Sequence, residues 1–363
     1  MLLADGTIRD IVADDAVPAT ARTTRLAGGT LAAGFIDLQV NGGGGVMFND
    51  APTAATIAAI GRAHRAFGTT GFLATFISGA RADMARAVAA VREAMDSGEP
   101  GVSASTSKGR TSTPRAAGRM TRGRSGRQPR ATSTCSPRWR GPHPGDTGTG
   151  VRDTGGYRRA CRTRRHRRRR SQRGQRRHDG HGDGARAHRR HPPVQCHGPA
   201  RPPGAGRGRR SLTRDRLACG IIADGVHVHW DVLRLAWRAK PRGTLFLVTD
   251  AMAPVGAPDA GVIRIGNETV RTVGGCLRLA DGRLAGSLLN MGQAVRNCVM
   301  HAGIPLADAL AMAAAYPADF LGLGESRGRL APGLRADLVW LDDDLRVRAT
   351  WIGGARSDTP EAR

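Results

Sequence analysis

The sequence predicts an α/β fold, a parallel sheet or (β/α)8 barrel with its helices outside, and two observations carry that prediction. Short apolar runs alternate with stretches of helical spacing on both sides of a central block, and polar residues gather where the apolar runs end. In a barrel of this kind the C-terminal strand ends form the active-site face, so the second observation also points to an enzyme.

Taken in order, β-like pieces open the chain in "MLLADGTIRDIVADD". Phe35–Val40 is an apolar run that ends in a polar and glycine cluster, the pattern of a buried parallel strand entering a functional loop. Residues 54–67 carry helical spacing, "GTTGFLATFIS" is a second buried strand, and residues 80–95 a second helix. After the central block, "CGIIADGVHVH" is strand then loop, residues 230–240 a helix, and "GTLFLVTDAMAPVG" strand then loop again. "GRLAGSLLNMGQAVRNCVMHAG" runs from a turn into a helix, and "PLADALAMAAAYPADFLGL" is one further helix. The stretch "GRLAPGLRADLVWLDDDLRVRATWIGG" reads as a short antiparallel β unit, able to pair with the N-terminal β pieces in a small second domain.

The net charge of +26 is concentrated rather than spread. Residues 101–210 hold 29 Arg and one Lys against four acidic residues, which is the whole excess, and the remaining chain is neutral. That block has only Val102, Met120, Val151 and Val194 as large aliphatic side chains, too few to offset the entropy of ordering it, so it is expected to be disordered in isolation. The six cysteines show neither CxxC nor regular spacing, which argues against a disulfide framework or a zinc knuckle. No charged start with an apolar core opens the chain, and no apolar run is long enough for a membrane helix; the expectation is a cytoplasmic protein.

At the predicted strand ends stand Gln39 and Asn41, then Asp224, His227 and His229, then Thr249 and Asp250. Each has a structural reading as well. An Asp after a strand is commonly a turn or capping residue, His229 can be a surface side chain, and Asn41 before four glycines can be a tight turn. Their coincidence on one face favours function.

These stretches also match a known family. "GFIDLQVNGGGGVMFND", "GTTGFLATFIS", "CGIIADGVHVH", "LFLVTDAMAPVG", "LAGSLLNM" and "AYPADFLGL…GRLAPGLRADLVWLD" resemble the N-acetylglucosamine-6-phosphate deacetylases of the amidohydrolase superfamily, over residues 3–102 and 211–354. The resemblance implies a TIM-type barrel of the metal-dependent hydrolase class (residues 34–102 and 211–324) and a small β-sandwich domain from the chain ends (residues 1–33 and 325–363), with the N-terminus beginning late. It implies hydrolysis of the acetamide of N-acetylglucosamine 6-phosphate, a phosphosugar, with one divalent metal ion, zinc or iron, activating a water. By resemblance Asp250 is the general acid/base, His227 contacts substrate, and Leu284, Ala285 and Gly286 line the sugar site. Asn41, also placed in the substrate site, and Gln39 stand where many other amidohydrolases have a His-x-His metal pair, which fits a single-metal pattern. A homodimer is implied too, with an arginine reaching the neighbour's phosphate, and neither a membrane nor a specific nucleic acid is an expected partner.

The family's metal ligands are missing as written. A "HLEGPF"-like glutamate, a "GAHDP" histidine, a "GHS" histidine and a "THLFNAM" histidine are all illegible in residues 103–210. An Arg, Gly, Pro and Ser mixture without leucine looks like GC-rich DNA read out of frame. Read one nucleotide early, "SASTSKGRTSTPRAAGRMTR" can encode LGIHLEGPYLNTPRRGAHDP; read one nucleotide late, "HPPVQCHG" can encode THLFNAM and "RSQR" can encode GHS. The lost metal glutamate then falls at Lys108, the lost metal histidines at Ser171 and Pro192, and the "GAHDP" histidine at Met120. Two or three frameshifts bracketing the block account for this, and the chain as written is expected to be inactive.

Three alternatives stand beside this reading. The arginine block can be a phosphate-neutralising nucleic-acid arm, although its only aromatics are Trp139 and Tyr157. His178, His181, His188 and His191 can be a metal site, although the arginines around them would repel a cation. The chain can also be a degenerate, inactive amidohydrolase relative.

Overall fold

In the computed structural model of the chain, residues 1–77, 79–108, 194–195, 212–259, 262–265 and 268–357 are described. Most of the arginine-rich block lies outside them, as do the four-histidine cluster and the positions Met120, Ser171 and Pro192 of the shifted reading.

Strands β1 (Leu2–Ala4) and β2 (Thr7–Asp10) form a hairpin, and β3 (Thr30–Ala33) leads into β4 (Phe35–Val40), whose six residues are all buried. A small hairpin of β5 (Gly42–Gly43) and β6 (Val46–Met47) follows. Helix α1 (Ala54–Arg65) starts where the Thr53 side chain accepts from the Thr56 N–H, and it buries Ile57, Ile60, Gly61 and His64, a single face at helical spacing. Strand β7 (Thr69–Ile77) is followed by α2 (Arg81–Asp96), which buries Ala87, Ala90, Val91 and Ala94 at the same spacing. The two helices and β7 close a core with Phe48, Phe72 and Phe76. β8 (Val102–Lys108) pairs in parallel with β7, and β7 with β4.

A second parallel sheet contains β9 (Val194–Gln195), β10 (Cys219–Ile221) and β11 (Leu245–Leu247), with α3 (Trp230–Ala239) between the last two. Beyond β11 the chain runs alongside β4: Asp250 N–H donates to Gln39 O (3.0 Å), and Asn41 N–H donates to Ala251 O (2.9 Å). The two sheets therefore form one arc of parallel strands. Among the described residues this arc does not close into a barrel.

An antiparallel sheet follows that the pattern reading did not include: β12 (Val262–Ile265), β13 (Glu268–Val273) and β14 (Cys276–Leu279). Helix α4 (Met291–Met300) comes next, capped by the Asn290 side chain accepting from Gln293 N–H at 2.8 Å. The single helix expected after it is two, α5 (Leu306–Ala313) and α6 (Ala315–Leu321), broken at Ala314 with φ −130 and ψ −66. Pro317 explains the break, because its ring would collide with the Ala313 carbonyl four residues back in a continuous helix.

The last strands, β15 (Leu338–Leu341), β16 (Val347–Ile352) and β17 (Ala355–Ser357), make an antiparallel sheet whose other edge is β3. Ile8 of β2 packs with Ala336 and Leu338 against Trp351, so both ends of the sequence build this layer. The main core is shared as well: Phe35, Ile36, Leu38 and Leu73 pack with Phe246, Leu247, Val295 and Val339.

Candidate active site

Register places the site. Ile221 of β10 lies opposite Leu247 of β11, so Asp224 and Asp250 each stand three residues beyond a paired position on adjacent strands. Val40 at the end of β4 bridges Ala251, and Ala251 bridges Ser287. One end of the arc thus collects Gln39, Asn41, Asp224, His227, Thr249 and Asp250.

Gln39 Nε2 donates to Asp250 Oδ1 at 2.5 Å, and Asn41 Nδ2 donates to the same oxygen at 2.8 Å and to Ala251 O at 3.2 Å. Two amides converging on one oxygen set the rotation of the carboxylate. Asn41 Oδ1 is buried and has no hydrogen-bond partner among the described residues. Asp250 itself is almost fully buried and has φ +55, a left-handed conformation that costs a non-glycine residue about 1–3 kcal/mol and persists only where its surroundings hold it.

Those surroundings include a carboxylate that the sequence reading missed. Asp37, fully buried, accepts from Thr249 Oγ1 at 2.5 Å and from the N–H groups of Gln39 (3.1 Å) and Thr249 (3.2 Å), tying the residue before Asp250 to the strand that carries its amide partners. Burial pushes the Asp37 carboxyl up to about 7 against these hydrogen bonds, and the nearby Asp250 adds to the rise. Ser287 secures the other side: its Oγ donates to Thr249 O at 2.5 Å and its N–H to Asp250 O at 3.0 Å. Ser287 follows residues 284–286, so Leu284, Ala285 and Gly286 run beside the Asp250 segment. Gly286 has φ +75, and a Cβ there would meet Met252 Cγ at 2.4 Å.

His64 of α1 was likewise not anticipated. Its Nε2 lies 3.0 Å from Gly42 O, directly after Asn41, and burial lowers its pKa to about 4. Asp224 and His227 form a turn-borne pair, with His227 Nδ1 2.6 Å from Asp224 Oδ2. His229 belongs elsewhere: it is exposed, the surface reading weighed for it above, and it also caps α3 by accepting from Asp231 N–H. Gln39 and Asn41 were legible as strand-end polar residues, whereas Asp37 and Ser287 carried no signal beyond their types, because their partners are remote in sequence.

The described residues do not make up a metal site. They contain no group of three or more His, Cys, Asp or Glu side chains placed to hold an ion, His64 and His227 are turned to Gly42 and Asp224, and two amides occupy Asp250 Oδ1.

A carboxylate at the end of a parallel strand arc, flanked by loops from neighbouring strands, is the arrangement of a barrel hydrolase, and residues 205–361 match the model of the amidohydrolase family. An N-acetylgalactosamine-6-phosphate deacetylase of Shewanella sp. (strain ANA-3) is 35% identical over 356 residues, covering 91% of this chain and 84% of that protein. The N-acetylglucosamine-6-phosphate deacetylase of Homo sapiens is 41% identical over 150 residues, 39% of this chain and 36% of its own length. The crystal structure of the N-acetylglucosamine-6-phosphate deacetylase from Pasteurella multocida is similar with a TM-score of 0.72 at 21% identity, covering 98% of this chain and 94% of that one. That from Thermotoga maritima gives 0.64 at 18% identity, with coverages of 98% and 93%. The fold is thus of the TIM-barrel type with a small β domain. The chain belongs to the amino-sugar 6-phosphate deacetylase family of the amidohydrolases. Amidohydrolases generally use a divalent metal ion. Among the described residues, no helix is long and apolar enough to cross a membrane.

Proposed function

We propose that the site is built to remove the acetyl group from an N-acetylhexosamine 6-phosphate, and that the chain as written does not turn this substrate over. The observation that carries the first part is Asp250, a buried strand-end carboxylate whose rotation is set by Gln39 and Asn41. In this reading Asp250 is the general acid/base that takes a proton from water and returns it to the leaving amine. His227 contacts the substrate, Asn41 borders it, and the backbone of Leu284, Ala285 and Gly286 lines the sugar.

The second part rests on the missing ligands. In the frame reading, residues 103–210 replace the barrel segment that would carry them, leaving residues 34–102 and 211–324 as barrel and residues 1–33 and 325–363 as the small domain. Support comes from the two short strands found at the margins of the block. β8 ends at Lys108, in register with Ile77 and at the shifted position of the metal glutamate, and Val194–Gln195 lies within "HPPVQCHG", the segment whose shifted reading is THLFNAM. With the frame restored, the enzyme would be a homodimer holding one zinc or iron ion and working in the cytoplasm.

The Shewanella relative favours the galactosamine epimer as a second reading of the substrate. Acetate release from N-acetylglucosamine 6-phosphate and from N-acetylgalactosamine 6-phosphate tests both readings. The chain as written is expected to release none, and a gene with its frame restored between codons 102 and 210 is expected to act on one or both. Robust turnover by the chain as written overturns the second part; none from the restored gene overturns the first.

A further inference from the structure

We propose that Asp224 is a positioning residue that fixes His227 with its proton on Nδ1, so that Nε2 holds the lone pair of the neutral ring. The proposal rests on the reading of His227 as a substrate contact. It concerns a carboxylate that the functional reading leaves without a role.

Asp224 directly follows the buried run Cys219–Ala223 at the end of β10. Its Oδ1 accepts two backbone N–H groups, from Val226 at 2.9 Å and from His227 at 2.8 Å, and its Oδ2 lies 2.6 Å from His227 Nδ1. Gly225 permits this tight turn with φ +75, where a Cβ would strike the Trp230 ring at 2.3 Å. The two side chains are 14% and 9% exposed, so water competes little for the contact. Burial works against ionisation of Asp224, but the hydrogen bonds from the His227 ring and from the two backbone groups outweigh it and hold the carboxyl below its usual range. An ionised carboxylate has no proton to give, so Nδ1 must be the donor. The neutral ring then carries a lone pair on Nε2, suited to a sugar hydroxyl, and only the protonated ring can donate from Nε2 to a carbonyl or phosphate oxygen.

An Asp224→Asn change makes a sharp test. The two backbone donors require an oxygen where Oδ1 stands, which turns the new amide NH2 toward His227 Nδ1. That nitrogen must then accept, and the proton moves to Nε2. Ring 15N resonances of the full chain, recorded in alkaline buffer and assigned by their loss in His227→Gln, report the tautomer without any turnover. The expected result is an Nδ1–H ring in the chain as it stands and an Nε2–H ring in Asp224→Asn. An Nε2–H ring in the unsubstituted chain, or no exchange in a folded variant, overturns the proposal; if the variant does not fold, the unsubstituted spectrum decides. Adding N-acetylglucosamine 6-phosphate is expected to move the Nε2 resonance and leave Nδ1 in place. If neither moves, the substrate contact fails while the tautomer result stands.

Discussion

Asp37 and His64 are both fully buried near the strand ends, and their linkage to pH has opposite signs. The folded state holds the Asp37 proton more tightly than the unfolded chain between about 4 and about 7, so this group lowers stability as the pH rises through that window. His64, depressed to about 4 from its ordinary 6.5, binds its proton more weakly when folded, so stability rises with pH between those values. Each slope has an upper limit of about 1.4 kcal/mol per pH unit, and over most of the range the two offset each other. Urea denaturation across this range is expected to show a rising slope in Asp37→Asn and a falling one in His64→Gln. Unchanged slopes in both would show that these groups do not titrate as their burial requires. Asn41→Ala removes donors from Asp250 Oδ1 and Ala251 O, and a loss of about 1–3 kcal/mol is expected in the same assay.

At the scale of elements, Ser287 pairs through its backbone with Asp250 and Met252, and the Met252 side chain fills the space over Gly286. Gly286→Ala adds a Cβ where Met252 already stands and imposes a left-handed conformation on alanine. A cost of about 1–3 kcal/mol is expected in thermal denaturation, and a neutral result would mean that Met252 can move aside. Legibility varied between elements for physical reasons. Phe35–Val40 is buried along its whole length, so Phe35, Ile36, Leu38 and Val40 marked its limits, and Gln39 within it and Asn41 just after it stood out as polar candidates. The β12–β14 sheet went unread although its signal is present: Gly274–Gly275, at φ +57 and +72, is a two-residue hairpin turn closed by the Val273 and Cys276 pair. The helix break before Pro317 was also readable in principle, but helical spacing continues through it and masked it. The Asp37 clamp was not readable, since Thr249 lies more than two hundred residues away and only the pairing of β4 with the segment after β11 joins them.

At the scale of the whole molecule, residues 1–115 and 189–363 form one compact unit despite the arginine-rich stretch written between them. Their shared interior, with Phe35 and Leu73 on one side of the break and Phe246, Val295 and Val339 on the other, predicts that the two pieces recognise each other when made separately. Co-expressed fragments 1–115 and 189–363 are expected to copurify and to melt in one cooperative transition. Fragments that stay apart would show that the intervening residues are needed to join them. The antiparallel pairing of Thr30–Ala33 with Leu338–Leu341 bears on biosynthesis as well. At about 5–20 residues per second, about 15–60 s pass between synthesis of the first strand and of its partner. Through that interval the early strand edge and the apolar side of Ile8 are without their final cover, so the nascent chain offers a ribosome-associated chaperone a binding segment whose lifetime is set by translation speed.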